Sequence, residues 1–197
     1  MKCLLFVPLA ILSLSAFGQT TQVKLGEKEK QQLATFMSNF SEVSLPDFDQ
    51  SHPLTQTQLL KFAFDHKQYQ EWMASIDRGA RMKHGDKAGQ TKILSKDYIV
   101  GVIKRYFGIT LNWSSLPASL ITKKALTIHY GGERIEGTWY TGVKSMMKVG
   151  DSYRFTGDYI SINTGDEEEV YGTVEATLKK TSDGWNLISH SIHRKKF

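Results

Sequence analysis

Val170-Tyr171-Gly172-Thr173-Val174-Glu175-Ala176-Thr177-Leu178 is the stretch whose reading decides the fold. Side chains of an extended chain alternate between two faces, so Val170, Gly172, Val174, Ala176 and Leu178 share one side. Tyr171, Thr173, Glu175 and Thr177 share the other. The first set is apolar and the second polar, which predicts a strand with one face in a core and one face wetter, as in an antiparallel sheet covered on one side.

The alternation continues in both directions. Ser182-Asp183-Gly184 predicts a hairpin into a last strand, in which Trp185, Leu187 and Ser189 alternate with Asn186, Ile188 and His190. Upstream, Asn163 to Asp166 predicts a turn, Tyr153, Phe155 and Tyr159-Ile160 a strand, and Gly150-Asp151 a tight hairpin. Gly137 to Tyr140 and Val143 to Val149 read as two further short strands. Leu126, Ile128 and Tyr130 alternate with Thr127 and His129 before a Gly131-Gly132 turn.

Before Ala125 the period is helical instead. Leu33, Phe36, Met37 and Phe40 fall on one face of a helix opened by Gly26-Glu27-Lys28-Glu29, its acids in the first turn where the helix dipole favours them. It is expected to stop near Ser41 or Glu42. Ser44 to Pro53 reads as a connecting loop, and Thr55 with Gln58 forms a capping-box pattern ahead of Leu59, Leu60, Phe62, Ala63 and Phe64. That second helix is expected to continue, kinked, through Tyr69, Trp72, Met73 and Ile76. Arg78 to Gln90, with three glycines and five basic residues counting His84, reads as a mobile loop. Ile93 and Leu94 suit a short strand or lead-in. Ser95 then caps a helix carrying Ile99, Val102, Ile103 and Tyr106, and Gly108 follows where a left-handed residue ends it.

Helices first and a meander of four to six strands afterwards predict an α+β fold, with about three N-terminal helices packed on a curved antiparallel sheet. The expected organisation is a signal peptide over 1–18, a lead-in over 19–25 and a single α+β domain over 26–197. Lys2, the apolar run Leu4 to Leu14 and the small-x-small Ala16-Phe17-Gly18 are the three parts of an export signal cleaved near Gly18. The run falls short of the roughly 20 residues a membrane span needs. Cleavage removes Cys3, the only cysteine, so a periplasmic or extracellular product would have no disulfide framework, no cysteine-type zinc site and no thiol nucleophile. The formal charge of the whole chain is +5, falling to +4 once Lys2 leaves. Clusters at Lys123-Lys124, Lys179-Lys180 and Arg194-Lys195-Lys196 offer peripheral contact with an anionic surface, but no nucleic-acid signature accompanies them.

The chemistry-bearing residues are sparse. His190 and His193 are three apart on a strand and cannot share a metal, and Asp166 to Glu169 lacks the alternating offsets of a calcium loop. No metal site and no cofactor are expected. No Gly-x-Ser-x-Gly, phosphate loop or His-Glu-x-x-His is present. His129 and His190 suit an acid–base site if they share a sheet face, with Asp158 or Glu175 as the carboxylate. Tyr130, Trp139 and Tyr159 suit contact with a small molecule, a peptide or a glycan if they line a cavity.

Ser38-Asn39-Phe40-Ser41-Glu42, Leu59-Leu60-Lys61-Phe62-Ala63 and Lys104-Arg105-Tyr106-Phe107-Gly108-Ile109 resemble a family of exported proteins of Bacteroidota-type bacteria. The resemblance covers about a tenth of the mature chain, implies an envelope location and transfers no catalytic residue. Three helices before a curved sheet is similar to the cone-shaped NTF2-like and cystatin-like architectures, which host enzymes and binding modules alike. The resulting expectation is an exported binding or accessory domain with a cavity between helices and sheet. The alternative is an NTF2-like enzyme using His129 or His190 with Asp158.

Overall fold

The computed structural model describes residues 20–77, 91–115, 121–122, 125–129, 138–162 and 168–196. The expected export signal over 1–18, the expected loop Arg78 to Gln90, Lys123-Lys124, Tyr130 and the turns expected at Gly131-Gly132 and Asn163 to Asp166 lie outside these residues.

The fold is α+β. Three helices are described: α1 (Glu27–Glu42), α2 (Gln56–Asp77) and α3 (Lys96–Phe107). The long strands are β5 (Thr138–Val149), β6 (Ser152–Ile162), β7 (Glu168–Thr181) and β8 (Gly184–Arg194), and β1 (Thr20–Gln22) pairs with the first of them. These five form an antiparallel sheet in the order β1-β5-β6-β7-β8. A second antiparallel sheet, β2-β4-β3, joins β2 (Thr91–Ser95), β4 (Ala125–His129) and β3 (Ile121–Thr122).

Each helix carries its own boundaries. Glu29 Oε2 accepts from the Gly26 N–H at 2.9 Å, tying down the first turn of α1. Thr55 and Gln58 close the capping box reciprocally: Gln58 Oε1 accepts from the Thr55 N–H at 2.8 Å, and Thr55 Oγ1 accepts from the Gln58 N–H at 3.3 Å. From there α2 runs unbroken for 22 residues. Ser95 Oγ accepts from the Tyr98 N–H, and α3 ends at Gly108 with φ +68°. A side chain at Gly108 would strain that left-handed backbone and would also meet Asn186, whose Nδ2 donates to the Arg105 carbonyl at 2.9 Å and so caps the helix from β8.

The helices cover one face of the five-stranded sheet, α1 against β5 and α3 against β8. Paired residues of an antiparallel sheet point to the same side, so the register identifies the covered rows. Met146, Phe155, Ala176 and His190 form one, and Tyr153, Leu178 and Leu187 another. These meet Leu33, Met37 and Phe40 of α1, Phe62 of α2 and Ile99, Ile103 and Phe107 of α3 in one core. Val174, Ala176 and Leu178 are buried and Gly172 with them, as the alternation of that strand predicts.

Four features depart from the sequence reading. The two short strands expected at 137–140 and 143–149 are one strand, β5, with Lys144 bulged between Val143 and Ser145. The strand of Leu126 and Ile128 does not join the meander but pairs with β2. In β8, Thr177 pairs with Ser189 while Leu178 pairs with Leu187, so Ile188 is the extra residue of a bulge. A bulge inverts the alternation beyond it, and Leu187 and His190, expected on opposite faces, are both buried at 2% exposure. The residues expected as a mere lead-in supply β1.

Candidate functional site

The bulge at Ile188 delivers His190 to the covered face, beside Ala176 and 6.2 Å from the Phe40 ring. The loop between α1 and α2 then runs along the outer edge of β8. Phe48 and His190 exchange backbone hydrogen bonds, the Phe48 N–H donating at 2.9 Å and the His190 N–H at 3.0 Å. Asp47 Oδ1 accepts from the Ile192 N–H at 2.9 Å. One turn further along the loop, Asp49 Oδ1 accepts from the N–H groups of Ser51 and His52, both at 2.7 Å, and lies 3.3 Å from His52 Nδ1. Asp and Asn favour such turns because their side chains reach backbone two residues on.

Loop and strand edge enclose a cleft of about 280 Å³ lined by Asp47, Phe48, Asp49, His52, Ser189, His190 and Ser191. One lining residue is unusual. Among the described residues, neither ring nitrogen of His190 has a hydrogen-bond partner, although the residue is 2% exposed. Burial pushes its imidazole down to about 4, and the nearby Asp47 carboxylate opposes this only partly. His190 is therefore neutral at pH 7, with one N–H to give and one lone pair to fill. The carboxyl of Asp49 is held below the usual carboxylate range, chiefly by the backbone N–H of His52.

A second polar cluster is closed off among the helices. His66 Nδ1 and Nε2 each lie 3.0 Å from a tyrosine hydroxyl, Tyr98 and Tyr106 respectively. Burial, with Arg105 and Lys67 adding to it, lowers His66 to about 4, and burial raises Tyr98 to about 12. Burial also raises Glu42 to about 7 against the opposing hydrogen bond from Tyr69. The two tyrosine hydroxyls satisfy both ring nitrogens of His66.

The residues singled out from sequence do not form one site. His129 lies at the end of β4, paired with Thr91, whereas His190 belongs to the five-stranded sheet. Asp158 shares a row with Gly142, Thr173 and His193, on the face opposite the buried Tyr159, and forms an ion pair with Lys144 at 2.5 Å. Glu175 lies 3.8 Å from His193, not beside His190. Trp139 and Tyr159 do come together, stacked at 4.5 Å and 10°, with Tyr171 edge-on to Trp139 at 5.2 Å. Tyr159 is 1% exposed, so it packs the sheet and cannot face a ligand. The Arg194 guanidinium sits over its ring at 5.9 Å, and the Lys195 N–H donates to the Tyr171 carbonyl at 2.7 Å, anchoring the root of the basic tail. Among the described residues no cluster of His, Cys, Asp and Glu could hold a metal ion, and no helix is long and apolar enough to cross a membrane.

Asp47, Phe48, Asp49 and His52 were read from sequence only as loop. The signal available was two carboxylates and a histidine within six residues of a proline-bounded loop, a place where binding residues concentrate. No protein-family model, curated protein or solved structure matches the chain.

Proposed function

We propose that this chain is an exported, non-enzymatic binding or accessory domain that contacts a small polar ligand through the cleft between the α1–α2 loop and the edge of β8. The observation that carries the reading is the cleft itself, about 280 Å³ in volume and lined by Asp47, Asp49, His52, Ser189 and Ser191 among others. Binding is favoured over acid–base catalysis because His190 and Asp158 occupy opposite faces of one sheet and His129 belongs to the other. The NTF2-like enzyme needs such groups within hydrogen-bond reach of one another or of a shared water.

Export rests on the Lys2, Leu4 to Leu14 and Ala16-Phe17-Gly18 pattern. Its test is the N-terminal mass of the protein recovered from envelope fractions, expected to begin near Gln19. The binding role is tested by a thermal-shift screen of envelope glycans, peptides and lipids, followed by amide mapping of any hit. A true ligand at a hundredfold excess over its Kd adds about 2.7 kcal/mol and several degrees of Tm. It is expected to move the amides of Phe48, His190 and Ile192. Stabilisation by no class, or shifts confined to another surface, would overturn the assignment.

A further inference from the structure

We infer that the hairpin end of the five-stranded sheet, where the β5–β6 and β7–β8 turns meet the end of α3, docks onto an anionic lipid surface. The inference is independent of the cleft along the outer edge of β8 and of what binds there.

Charge is the first argument. The register sets Lys148 beside Tyr153, Lys179 beside Asn186 and Lys180 beside Trp185, next to the two turns, and Arg154 leaves the first turn on β6. These four cations are exposed, and among the described residues none forms an ion pair with a carboxylate. The turns themselves contribute Asp151 and Asp183, which leaves a net charge of +2. Asn186 draws the last turn of α3, with its exposed Lys104, to the same place, its Nδ2 donating to the Arg105 carbonyl at 2.9 Å. Each basic residue beside an anionic leaflet raises affinity about fivefold, equivalent to about 1 kcal/mol. The opposite end of the sheet is balanced instead: Arg194 is engaged over Tyr159, and Glu168 and Glu169 open β7 there.

Apolar and aromatic side chains supply the second argument. The exposed large hydrophobics among the described residues, Met147 and Ile109, both lie at this end. Met147 is paired with Arg154, and Ile109 follows Gly108, which abuts Asn186. Trp185 and Tyr153 are half-buried there, edge to face at 5.0 Å, with Lys180 Nζ over the Trp185 ring at 5.6 Å. Trp and Tyr favour the headgroup layer because an apolar ring carries a polar edge. Cations, amphipathic aromatics and exposed apolar groups on projecting turns suit a headgroup layer, whereas a soluble polyanion needs the cations alone.

The path of the chain is the third argument. Thr20 pairs with Val149 and β1 runs away from the β5–β6 turn, so the segment over 1–18, with its apolar run Leu4 to Leu14, joins the domain at this same end. A signal held in the bilayer keeps that end nearest the lipid.

The test is vesicle flotation of the protein recovered from envelope fractions, with vesicles of phosphatidylcholine alone and vesicles containing about one third phosphatidylglycerol. Binding is expected only to the anionic set, and it is expected to fade as added salt screens the charges. Lys179→Gln with Lys180→Gln is expected to weaken it about 25-fold, fivefold for each charge. Lys195→Gln with Lys196→Gln, at the other end of the sheet, is expected to leave it unchanged, and thermal unfolding checks that both variants are folded. Vesicle-bound protein is expected to exchange the amides of Gly150, Asp151, Ser182 and Asp183 more slowly than free protein. Equal binding to both vesicle sets, or to neither, would overturn the inference. Loss of binding in the tail variant and not in the hairpin variant would move the contact to the C-terminus and overturn this surface. Capture by dextran sulfate without vesicle binding would make the partner a soluble polyanion and overturn the lipid assignment.

Discussion

Ser41 Oγ and Thr141 Oγ1 lie 2.6 Å apart, both wholly buried, joining α1 to β5 across 100 residues of sequence. Ser38 adds to the same seam by accepting from the Thr141 N–H at 3.0 Å. Polar contacts in a core are tolerated only when paired. Thr141→Val should therefore cost about 1–3 kcal/mol, because it orphans the Ser41 hydroxyl. The double variant Ser41→Ala with Thr141→Val should recover part of that loss. Urea unfolding of the three proteins checks this, and a double variant no better than the single one would show that the hydroxyl pair is not what matters.

The two buried histidines set the acid response. His66 and His190 are each lowered to about 4 by burial, from an unfolded value near 6.5. Their contribution is present above pH 6.5 and is lost as pH falls through 4, on the order of 3 kcal/mol each. Glu42, raised to about 7, acts with the opposite sign: its contribution is present below 4.5 and is lost as pH rises through 7. Between pH 4.5 and 6.5 these three groups give the unfolded chain a net surplus of about one proton, so stability should rise with pH by roughly 1.4 kcal/mol per unit. Glu42→Gln should nearly double that slope. Urea midpoints from pH 4 to 8 measure both.

Two glycines should respond in opposite ways. Gly101 lies inside α3 with no atom within 4 Å of a built Cβ, so Gly101→Ala should stabilise by about 0.5–1 kcal/mol through helix propensity. Gly172 lies where the backbone of β8 crosses close to β7, and a Cβ there would collide with the His193 carbonyl. Gly172→Ala should destabilise by at least about 2 kcal/mol. Thermal unfolding of both variants is the check.

Asp47 can be separated from the ligand question by its structural role. Asp47→Ala leaves the Ile192 N–H without its acceptor, whereas Asp47→Asn keeps one. Alanine should cost about 1–2 kcal/mol and speed hydrogen exchange at Ile192 more than tenfold, and asparagine should do neither.

Much of the fold was legible because its determinants are local. Ser95 and Gly108 bracket α3, Thr55 and Gln58 open α2, and the small apolar residues of Val170 to Leu178 mark a buried face. What escaped the reading depends on partners distant in sequence. The bulge at Ile188 arises from pairing with Thr177 and Leu178, and nothing in Trp185 to His190 announces it. The pairing of Thr20 to Gln22 with β5 spans most of the chain. The cleft escaped for the same reason: Asp47 and Phe48 acquire meaning only against Ile192 and His190.

The rim of a β-sheet is a row of unsatisfied amides and carbonyls, and in a concentrated compartment it templates the addition of neighbouring molecules into fibrils. Here Phe48 and Asp47 occupy that row at His190 and Ile192, and Asn186 draws the other end of the strand towards α3. The strap that shapes the cleft thus also insulates the molecule against polymerisation. Mutations that loosen it should surface first as turbidity on storage, before any loss of secondary structure.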